Sequence, residues 1–121
     1  MEDVNELELT CFEIISYVGS AKSSFVEAIA AAKAGDLDRA EALVKQGDEN
    51  YNSGHEVHMK LLQADAAGAR HGEAPLILLH AEDQMAGTEI VKILTVNFID
   101  VYRELMALRA KSGLSGNESA R

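Results

Sequence analysis

The sequence predicts an all-α protein, an antiparallel up-down-up bundle of three helices. The first reason is composition, because the 121 residues include one proline and no tryptophan and are rich in Ala, Leu and Glu, which favour helices. The second reason is that apolar residues recur at heptad spacing in three stretches separated by two turn signals. A chain of this length forms one domain. We expect that domain to span residues 1–111, with helices at about 3–34, 37–67 and 75–110, followed by a flexible tail at 112–121.

The first helix has an apolar residue at every heptad position. These positions hold Val4, Leu7, Cys11, Ile14, Val18, Ala21, Phe25, Ala28 and Ala32. Gly35 can adopt the left-handed conformation that ends a helix, and Asp36 can cap the helix that follows. The sequence therefore predicts a tight turn between the first two helices.

The second helix has a similar seam in which small and polar residues are more frequent. The seam consists of Leu37, Ala40, Val44, Gly47, Tyr51, Gly54, His58, Leu61 and Asp65. It ends near Gly68, and Pro75 stands where proline is tolerated, at the first position of a new helix. The third helix then extends to about Arg109, with Lys111 in its last turn.

Charge and cysteine content exclude several classes of function. With 20 acidic and 11 basic residues, the formal charge is −9, which disfavours binding to nucleic acid or to an anionic membrane surface. No apolar run approaches the roughly 18 residues that a membrane-spanning helix needs, so we expect no membrane insertion. Cys11 is the single cysteine and residues 1–20 lack a secretion signal, so we expect the protein to be cytoplasmic.

One stripe of the third helix mixes apolar residues with three polar ones. Its heptad positions hold Leu76, His80, Asp83, Gly87, Ile90, Leu94, Asn97 and Val101. A histidine on an apolar stripe is more often a hydrogen-bonded core residue than a functional one, and this structural interpretation of His80 stays open. Asn97 either helps to set register and copy number or is solvated.

Asp83 is harder to explain as a core residue, because an unpaired carboxylate in apolar surroundings is costly. In a monomer, Asp83 can simply face water. On a symmetry axis, copies of Asp83 would repel each other by about 4 kcal/mol at a separation of roughly 4 Å and an effective dielectric constant near 20. A divalent cation would remove that repulsion, and oxygen ligands favour magnesium or calcium. Apolar residues beside the heptad stripes, such as Phe12 and Ile93, also indicate self-association.

Residues 76–85, which read L-I-L-L-H-A-E-D-Q-M, resemble the phosphorylation motif of the lactose/cellobiose-specific enzyme IIA family of the bacterial sugar phosphotransferase system. The motif of that family typically reads V-H-A-Q-D-H-L-M. Residues 30–43 are similar to the family's first interhelical turn, and residues 55–63 are similar to its A-H-x-x-Q-T-x-L-I-Q segment. The resemblance extends over nearly all of residues 5–108, and three segments in the right order make it specific.

The resemblance implies a phosphocarrier that forms a homotrimer of nine helices. His80 would accept a phosphoryl group from the histidine-containing phosphocarrier protein and pass it to a cysteine of enzyme IIB, during uptake of a disaccharide of the lactose, cellobiose or chitobiose class. Asp83 of each subunit would bind a divalent cation, expected to be Mg²⁺, on the threefold axis. The chemistry is consistent with this role, since a neutral histidine side chain offers a lone pair to phosphorus.

The sequence departs from the family motif at two positions. Glu82 replaces the usual Gln and lies about 200° around the helix from His80, so its charge should point away from the phosphoryl group. Gln84 replaces the usual His; as a supporting residue its amide can donate a hydrogen bond to a phosphoryl oxygen, but it cannot titrate. Nearby, Gly87 weakens the helix by about 1 kcal/mol relative to alanine unless close packing compensates.

Two other functions are alternatives. His55, His58, His71 and His80 suggest a metal centre in the bundle, but the Glu-x-x-His pattern of dimetal bundles is absent and His71 falls in a loop. Without a metal, His55 is a packed or partner-facing residue and His58 a hydrogen-bonded seam residue. A tetratricopeptide-like adaptor would need no chemistry, yet the sequence lacks a repeat of about 34 residues. Cys11 occupies a core position, which makes it a weak candidate nucleophile.

Overall fold

The computed structural model describes residues 4–69 and 72–113, which form three helices and contain no strand. The helices are α1 (Val4–Lys33), α2 (Leu37–Ala66) and α3 (Leu76–Lys111). The all-α class is therefore confirmed, and each helix begins and ends within one residue of its expected bounds. From residue 114 onward, the expected tail lies outside the described residues.

The turns have the conformations that the sequence predicts. Gly35 has a φ of 89°, and the Asp36 side chain caps α2 by accepting a hydrogen bond of 3.1 Å from the backbone N–H of Arg39. Gly68 has a φ of 83° just beyond the end of α2. Left-handed glycines are thus used where the chain leaves α1 and α2.

α1 is the central helix, because it packs along its length against both other helices, whereas α2 and α3 touch each other much less. All eight heptad positions from Leu7 to Ala32 are buried, which confirms the predicted seam over that range. The side chain of Val4 lies outside the described part of the chain. The core therefore runs along one side of α1.

α2 approaches α1 closely at two glycines. A Cβ atom on Gly47 would lie 2.5 Å from Cε1 of Phe25, and a Cβ atom on Gly54 would lie 2.9 Å from Cγ1 of Val18. As the residue number rises in α1 it falls in α2, so the two helices are antiparallel. The small residues of the α2 seam are explained by this close approach.

α3 runs parallel to α1 and is joined to it by two buried threonines. Thr88 Oγ1 donates a hydrogen bond of 3.4 Å to the carbonyl of Val18. Thr95 Oγ1 lies 3.3 Å from the carbonyl of Phe25 and 2.8 Å from that of Val91 in its own helix, and its single hydrogen is shared between them. The order of contacts confirms the up-down-up arrangement. The buried residues of α3 are Leu78, Ala81, Met85, Thr88, Thr95 and Ile99.

One prediction about α3 is wrong for the single chain. The stripe expected to pack as its seam faces away from α1 and α2, and all its members are exposed except Gly87, which is half-buried. We call this surface the outer stripe: Leu76, His80, Asp83, Gly87, Ile90, Leu94, Asn97 and Val101. Large apolar side chains on it are well exposed, to 81% for Leu76 and 59% for Ile90.

Among the described residues, three polar side-chain pairs join α2 to α3. They connect Glu41 with Arg103 at 2.5 Å, Asp48 with Lys92 at 2.7 Å, and His58 with Glu82 at 2.7 Å. Their order along the chain shows that α2 and α3 are antiparallel. Within residues 4–69 and 72–113, no helix is long and apolar enough to cross a membrane.

Candidate functional site

His80, Asp83 and Gln84 lie on one side of α3, in its second and third turns. Side chains three and four residues apart are neighbours on a helix surface, so one regular helix brings the three together. His80 and Asp83 are exposed and Gln84 is half-buried. Two of them belong to the outer stripe, and Gln84 lies at its edge toward α1.

The imidazole of His80 is accessible. It is exposed and makes no hydrogen bond or ion pair with any described residue. The interpretation of His80 as a hydrogen-bonded core residue is therefore wrong for the single chain, because α3 turns this side chain away from the core. Neither ring nitrogen is bonded to a described residue, so the unprotonated one is accessible for reaction.

His80 lies in the second turn of α3, and its side chain points back toward the N-terminus of the helix. The helix begins at Leu76, and each Cα–Cβ bond of a helix tilts toward its N-terminus. Unpaired backbone N–H groups give that end a partial positive charge, whose effect is confined to the first turn or so. A phosphoryl group on His80 would lean toward this end of the dipole.

Asp83 has no positive partner in the described part of the chain. Its carboxylate is exposed on the outer stripe, where its neighbours one turn away are His80 and Gly87. Among residues 4–69 and 72–113, no three His, Cys, Asp or Glu side chains are grouped so that they could hold a metal ion. Within the described residues, Asp83 therefore belongs to no group of side chains that could hold a cation by itself.

Gln84 lies in an open groove between α1 and α3. Its side chain makes no hydrogen bond with a described residue, so its amide can donate to a ligand placed there. The α1 side of the groove is lined by Gly19, Lys22, Ser23, Val26 and Glu27.

Glu82 lies on the opposite side of α3 from His80. Its Oε1 atom is 2.7 Å from Nε2 of His58 in α2, so its charge points away from the exposed imidazole, as expected. The prediction of His58 as a hydrogen-bonded seam residue is also confirmed. The contact between His58 and Glu82 was not predicted from the sequence. The available signal was that helix periodicity turns both toward the interface between α2 and α3.

Among the described residues, His55 and His58 form no metal-binding group with His80. His55 is exposed and its ring stacks on Tyr51, with centroids 6.3 Å apart and an interplanar angle of 10°. Burial, and secondarily the Glu89 carboxylate, raises the pKa of the Tyr51 phenol above its ordinary value. His71 lies outside the described residues, and Cys11 is buried in the core.

Gly87 makes no close contact with the described residues that would require a glycine. A Cβ atom at this position would meet nothing within 4 Å, so no contact inside the described chain requires a glycine there. A glycine weakens a helix unless close packing compensates, and the described part of one chain provides no such packing at Gly87. If such packing exists, it comes from another molecule.

Comparison with known proteins identifies the family. The model of the family described as the lactose/cellobiose-specific IIA subunit of the phosphotransferase system matches residues 9–103. A lichenan-specific phosphotransferase enzyme IIA component of Bacillus subtilis is 33% identical over 107 residues, which cover 88% of this chain and 96% of that protein. A lactose-specific enzyme IIA component of Streptococcus mutans is 37% identical over 98 residues, covering 81% of this chain and 93% of that protein.

A solved structure agrees with these matches in both sequence and fold. The crystal structure of the cellobiose-specific enzyme IIA from Bacillus anthracis is 32% identical to this chain and superposes with a TM-score of 0.80, covering 88% of this chain and 95% of that one. Family model, relatives and fold thus point the same way. This chain is a member of the lactose/cellobiose-specific enzyme IIA family of the bacterial sugar phosphotransferase system.

Proposed function

We propose that this chain is a phosphocarrier that accepts a phosphoryl group on His80 from the histidine-containing phosphocarrier protein and passes it to a cysteine of enzyme IIB. The transferred group would drive uptake of a disaccharide of the lactose, cellobiose or chitobiose class. The observation that carries the proposal is the imidazole of His80, which is exposed and without a partner among the described residues, within the motif of an enzyme IIA.

The reaction exchanges one bond to phosphorus at each step. A ring nitrogen of His80 attacks the phosphorus of the donor phosphohistidine; the new N–P bond forms as the donor N–P bond breaks, and its electron pair stays on the donor nitrogen. A cysteine thiolate of enzyme IIB then attacks, and an S–P bond replaces the N–P bond at His80. No oxidant or reductant is needed. Such a transfer depends on in-line positioning and on stabilisation of charge.

The amide of Gln84, one turn beyond His80, supports this transfer by donating a hydrogen bond to a phosphoryl oxygen. Because an amide does not titrate, Gln84 stabilises charge without moving a proton. Glu82 stays on the far side of α3, bound to His58, and adds no negative charge beside the phosphoryl group.

The outer stripe supports a homotrimer. Large apolar patches are rarely left exposed on soluble monomers, and homo-oligomers are usually symmetric. A threefold axis along α3, on the side of Asp83, Ile90 and Leu94, would bury the apolar part of three copies of the stripe and leave His80 at its edge, where a partner protein can reach it. Three copies of the bundle make nine helices. In that arrangement residues at one level of α3 meet their own copies, so the Asp83 carboxylates converge.

A divalent cation, expected to be Mg²⁺, fits the Asp83 residues of such a trimer. Asp83 is exposed, has no positive partner among the described residues, and presents the hard oxygen ligands that Mg²⁺ prefers. Bound there, the cation would neutralise the converging carboxylates and stabilise the assembly. Its role is structural, because the reacting side chain is His80.

Phosphorylation from phosphoenolpyruvate tests the proposed function. Incubated with labelled phosphoenolpyruvate and the two general phosphotransferase proteins, the chain should take up about one phosphoryl group, acid-labile and base-stable as expected of phosphohistidine. Peptide mass spectrometry should place it on His80. Adding purified enzyme IIB should then remove the label from His80. An unlabelled chain, or a label that stays when enzyme IIB is added, would contradict the corresponding step.

Replacing Asp83 with asparagine should make assembly independent of divalent cations. Repulsion between converging carboxylates amounts to about 4 kcal/mol for each pair at roughly 4 Å, and the amide removes it. Sedimentation with and without a chelator should therefore show cation-dependent assembly for the parent chain and cation-independent assembly for Asp83→Asn.

The matched control is Asp100→Asn. Asp100 is an exposed carboxylate of the same helix that does not belong to the outer stripe and pairs with Arg103 at 3.2 Å. Its replacement should leave the cation dependence unchanged. A parent chain that sediments as a monomer at every cation concentration would contradict the axial site.

The second function suggested by the sequence, a tetratricopeptide-like adaptor, gains no support. In the described residues α1 and α2 form one helical hairpin, and α3 packs back parallel to α1 on the same core instead of starting another hairpin. The family model that matches residues 9–103 describes an enzyme IIA subunit and not a tetratricopeptide protein.

A further inference from the structure

The contact between His58 and Glu82 links α2 to the phosphoryl-accepting segment of α3. His58 Nε2 lies 2.7 Å from Glu82 Oε1, and the two side chains are 12% and 44% exposed. An ionised carboxylate can only accept hydrogen bonds, so Nε2 carries the hydrogen and donates it. Glu82 stands two residues after His80 and one before Asp83. The contact is therefore made inside the motif by a residue of another helix.

This contact is suited to fixing the rotation of α3 about its own axis. Pro75 stands at the N-cap of α3 and makes no side-chain capping hydrogen bond. Leu78, Ala81 and Met85 hold this end of the helix by apolar packing, which is not directional. A hydrogen bond has a preferred length and angle, so a strong one to a nearly buried histidine resists rotation that apolar packing tolerates.

A small rotation would matter for phosphoryl transfer. A side chain about 6 Å from the helix axis moves by about 1 Å when the helix turns by about 10°. Misplacement of a reacting atom by about 1 Å can slow a reaction by about a hundredfold. Because His80 and Glu82 are carried by the same rigid turn, holding Glu82 in place also holds His80 in place.

We propose that His58 is a positioning residue for phosphoryl transfer at His80, acting through its hydrogen bond to Glu82. The inference rests on the proposed phosphocarrier function. His58 does not touch the reacting atoms; it sets the direction in which α3 presents the imidazole. It also keeps the Glu82 carboxylate on the α2 side of the helix, away from the incoming phosphoryl group.

The test measures His80 phosphorylation in His58→Ala and Glu82→Ala. Each variant should lower the transfer rate at saturating phosphocarrier protein by about tenfold, with little change in the phosphocarrier concentration that gives half the maximal rate. The maximal rate should fall because the imidazole is misaligned. The concentration at half the maximal rate should stay the same because the surface that docks the phosphocarrier protein is intact. The double variant should be no slower than either single one, since both remove the same contact.

Rescue by a conservative pair separates positioning from a general loss of stability. The family segments described above carry Gln at both positions, and two amides can form a hydrogen bond between the same helices. His58→Gln combined with Glu82→Gln should therefore keep the parent rate to within about twofold, as expected if direction and not charge is what the contact supplies.

Lys92→Ala is the matched control. Lys92 and Asp48 form another pair of 2.7 Å between α2 and α3, several turns from the motif. Its loss should lower the melting temperature by a similar amount to that of His58→Ala but leave the transfer rate unchanged. The ring ¹⁵N resonances of His80 should shift in His58→Ala and not in Lys92→Ala.

Two results would overturn the inference: transfer rates in His58→Ala and Glu82→Ala equal to that of the parent, or an equal loss of rate in Lys92→Ala. The parent chain is assayed first. If it is not labelled at all, the proposed function itself fails, and if it is labelled while the variants match it, only the role of His58 fails.

Discussion

Replacing His80 with alanine should abolish phosphorylation of the chain while leaving its fold and assembly intact. The imidazole supplies the nitrogen that bonds to phosphorus, so the variant should take up no label above background. The side chain is exposed and bonded to no described residue, and such surface substitutions usually change the free energy of unfolding by no more than about 0.5 kcal/mol. Circular dichroism, the melting temperature and sedimentation should therefore match the parent chain.

The control for this prediction is His55→Ala. His55 is also an exposed histidine, but it lies on α2 and stacks on Tyr51. The variant should accept about as much label as the parent. A His80→Ala chain that unfolds would favour a structural role for the residue, and one that is still labelled would place the reactive histidine elsewhere.

The sequence was most informative where a helix has a single apolar stripe. The α1 seam from Leu7 to Ala32 is buried at every heptad position, because it is apolar throughout, whereas the neighbouring stripe with Phe12 and Val26 is interrupted by Lys22. The first turn was equally predictable, since Gly35 and Asp36 have conformational and capping preferences that depend on local chemistry alone.

The packing face of α3 was predicted wrongly because two stripes of this helix carry apolar residues at heptad spacing. Periodicity alone does not decide which of the two packs inward, and the stripe with Ile90 and Leu94 faces outward. The stripe that packs on α1 includes Thr88 and Thr95, whose hydroxyls are fully buried and bonded to α1 carbonyls. In the sequence a threonine counts as a polar residue, because its backbone acceptor in another helix is not known. The stripe of α3 that packs on α1, which we call the inner stripe, was therefore not recognised.

Part of the candidate site could likewise be predicted from the sequence, and part of it could not. His80, Asp83 and Gln84 lie together because helix spacing fixes their geometry, which the sequence alone contains. The partnership of His58 with Glu82 depends on how α2 and α3 are aligned along each other, across 24 residues of chain. No local pattern encodes that alignment, so it emerged only from the fold.

Replacing Leu94 with glutamate should convert the proposed trimer into a monomer. Leu94 is 49% exposed in the single chain and lies on the outer stripe, so three copies would meet at the axis. Burying one such leucine side chain contributes about 1.5–3 kcal/mol, which the substitution removes. Converging carboxylates add repulsion of about 4 kcal/mol for each pair at roughly 4 Å. Sedimentation equilibrium should show the mass falling from about three times the chain mass of 13.1 kDa to that mass alone.

Leu62→Glu is the matched control, because Leu62 is 44% exposed, almost as much as Leu94, but belongs to α2 and lies off the outer stripe. It should leave the trimer intact. The monomer produced by Leu94→Glu should keep its helices, since the inner stripe of α3 still packs on α1. It should lose cation binding, because a single Asp83 supplies too few oxygen ligands. If both glutamate variants dissociate, added surface charge alone explains the effect; if neither does, the outer stripe of α3 is not the face on which the subunits meet.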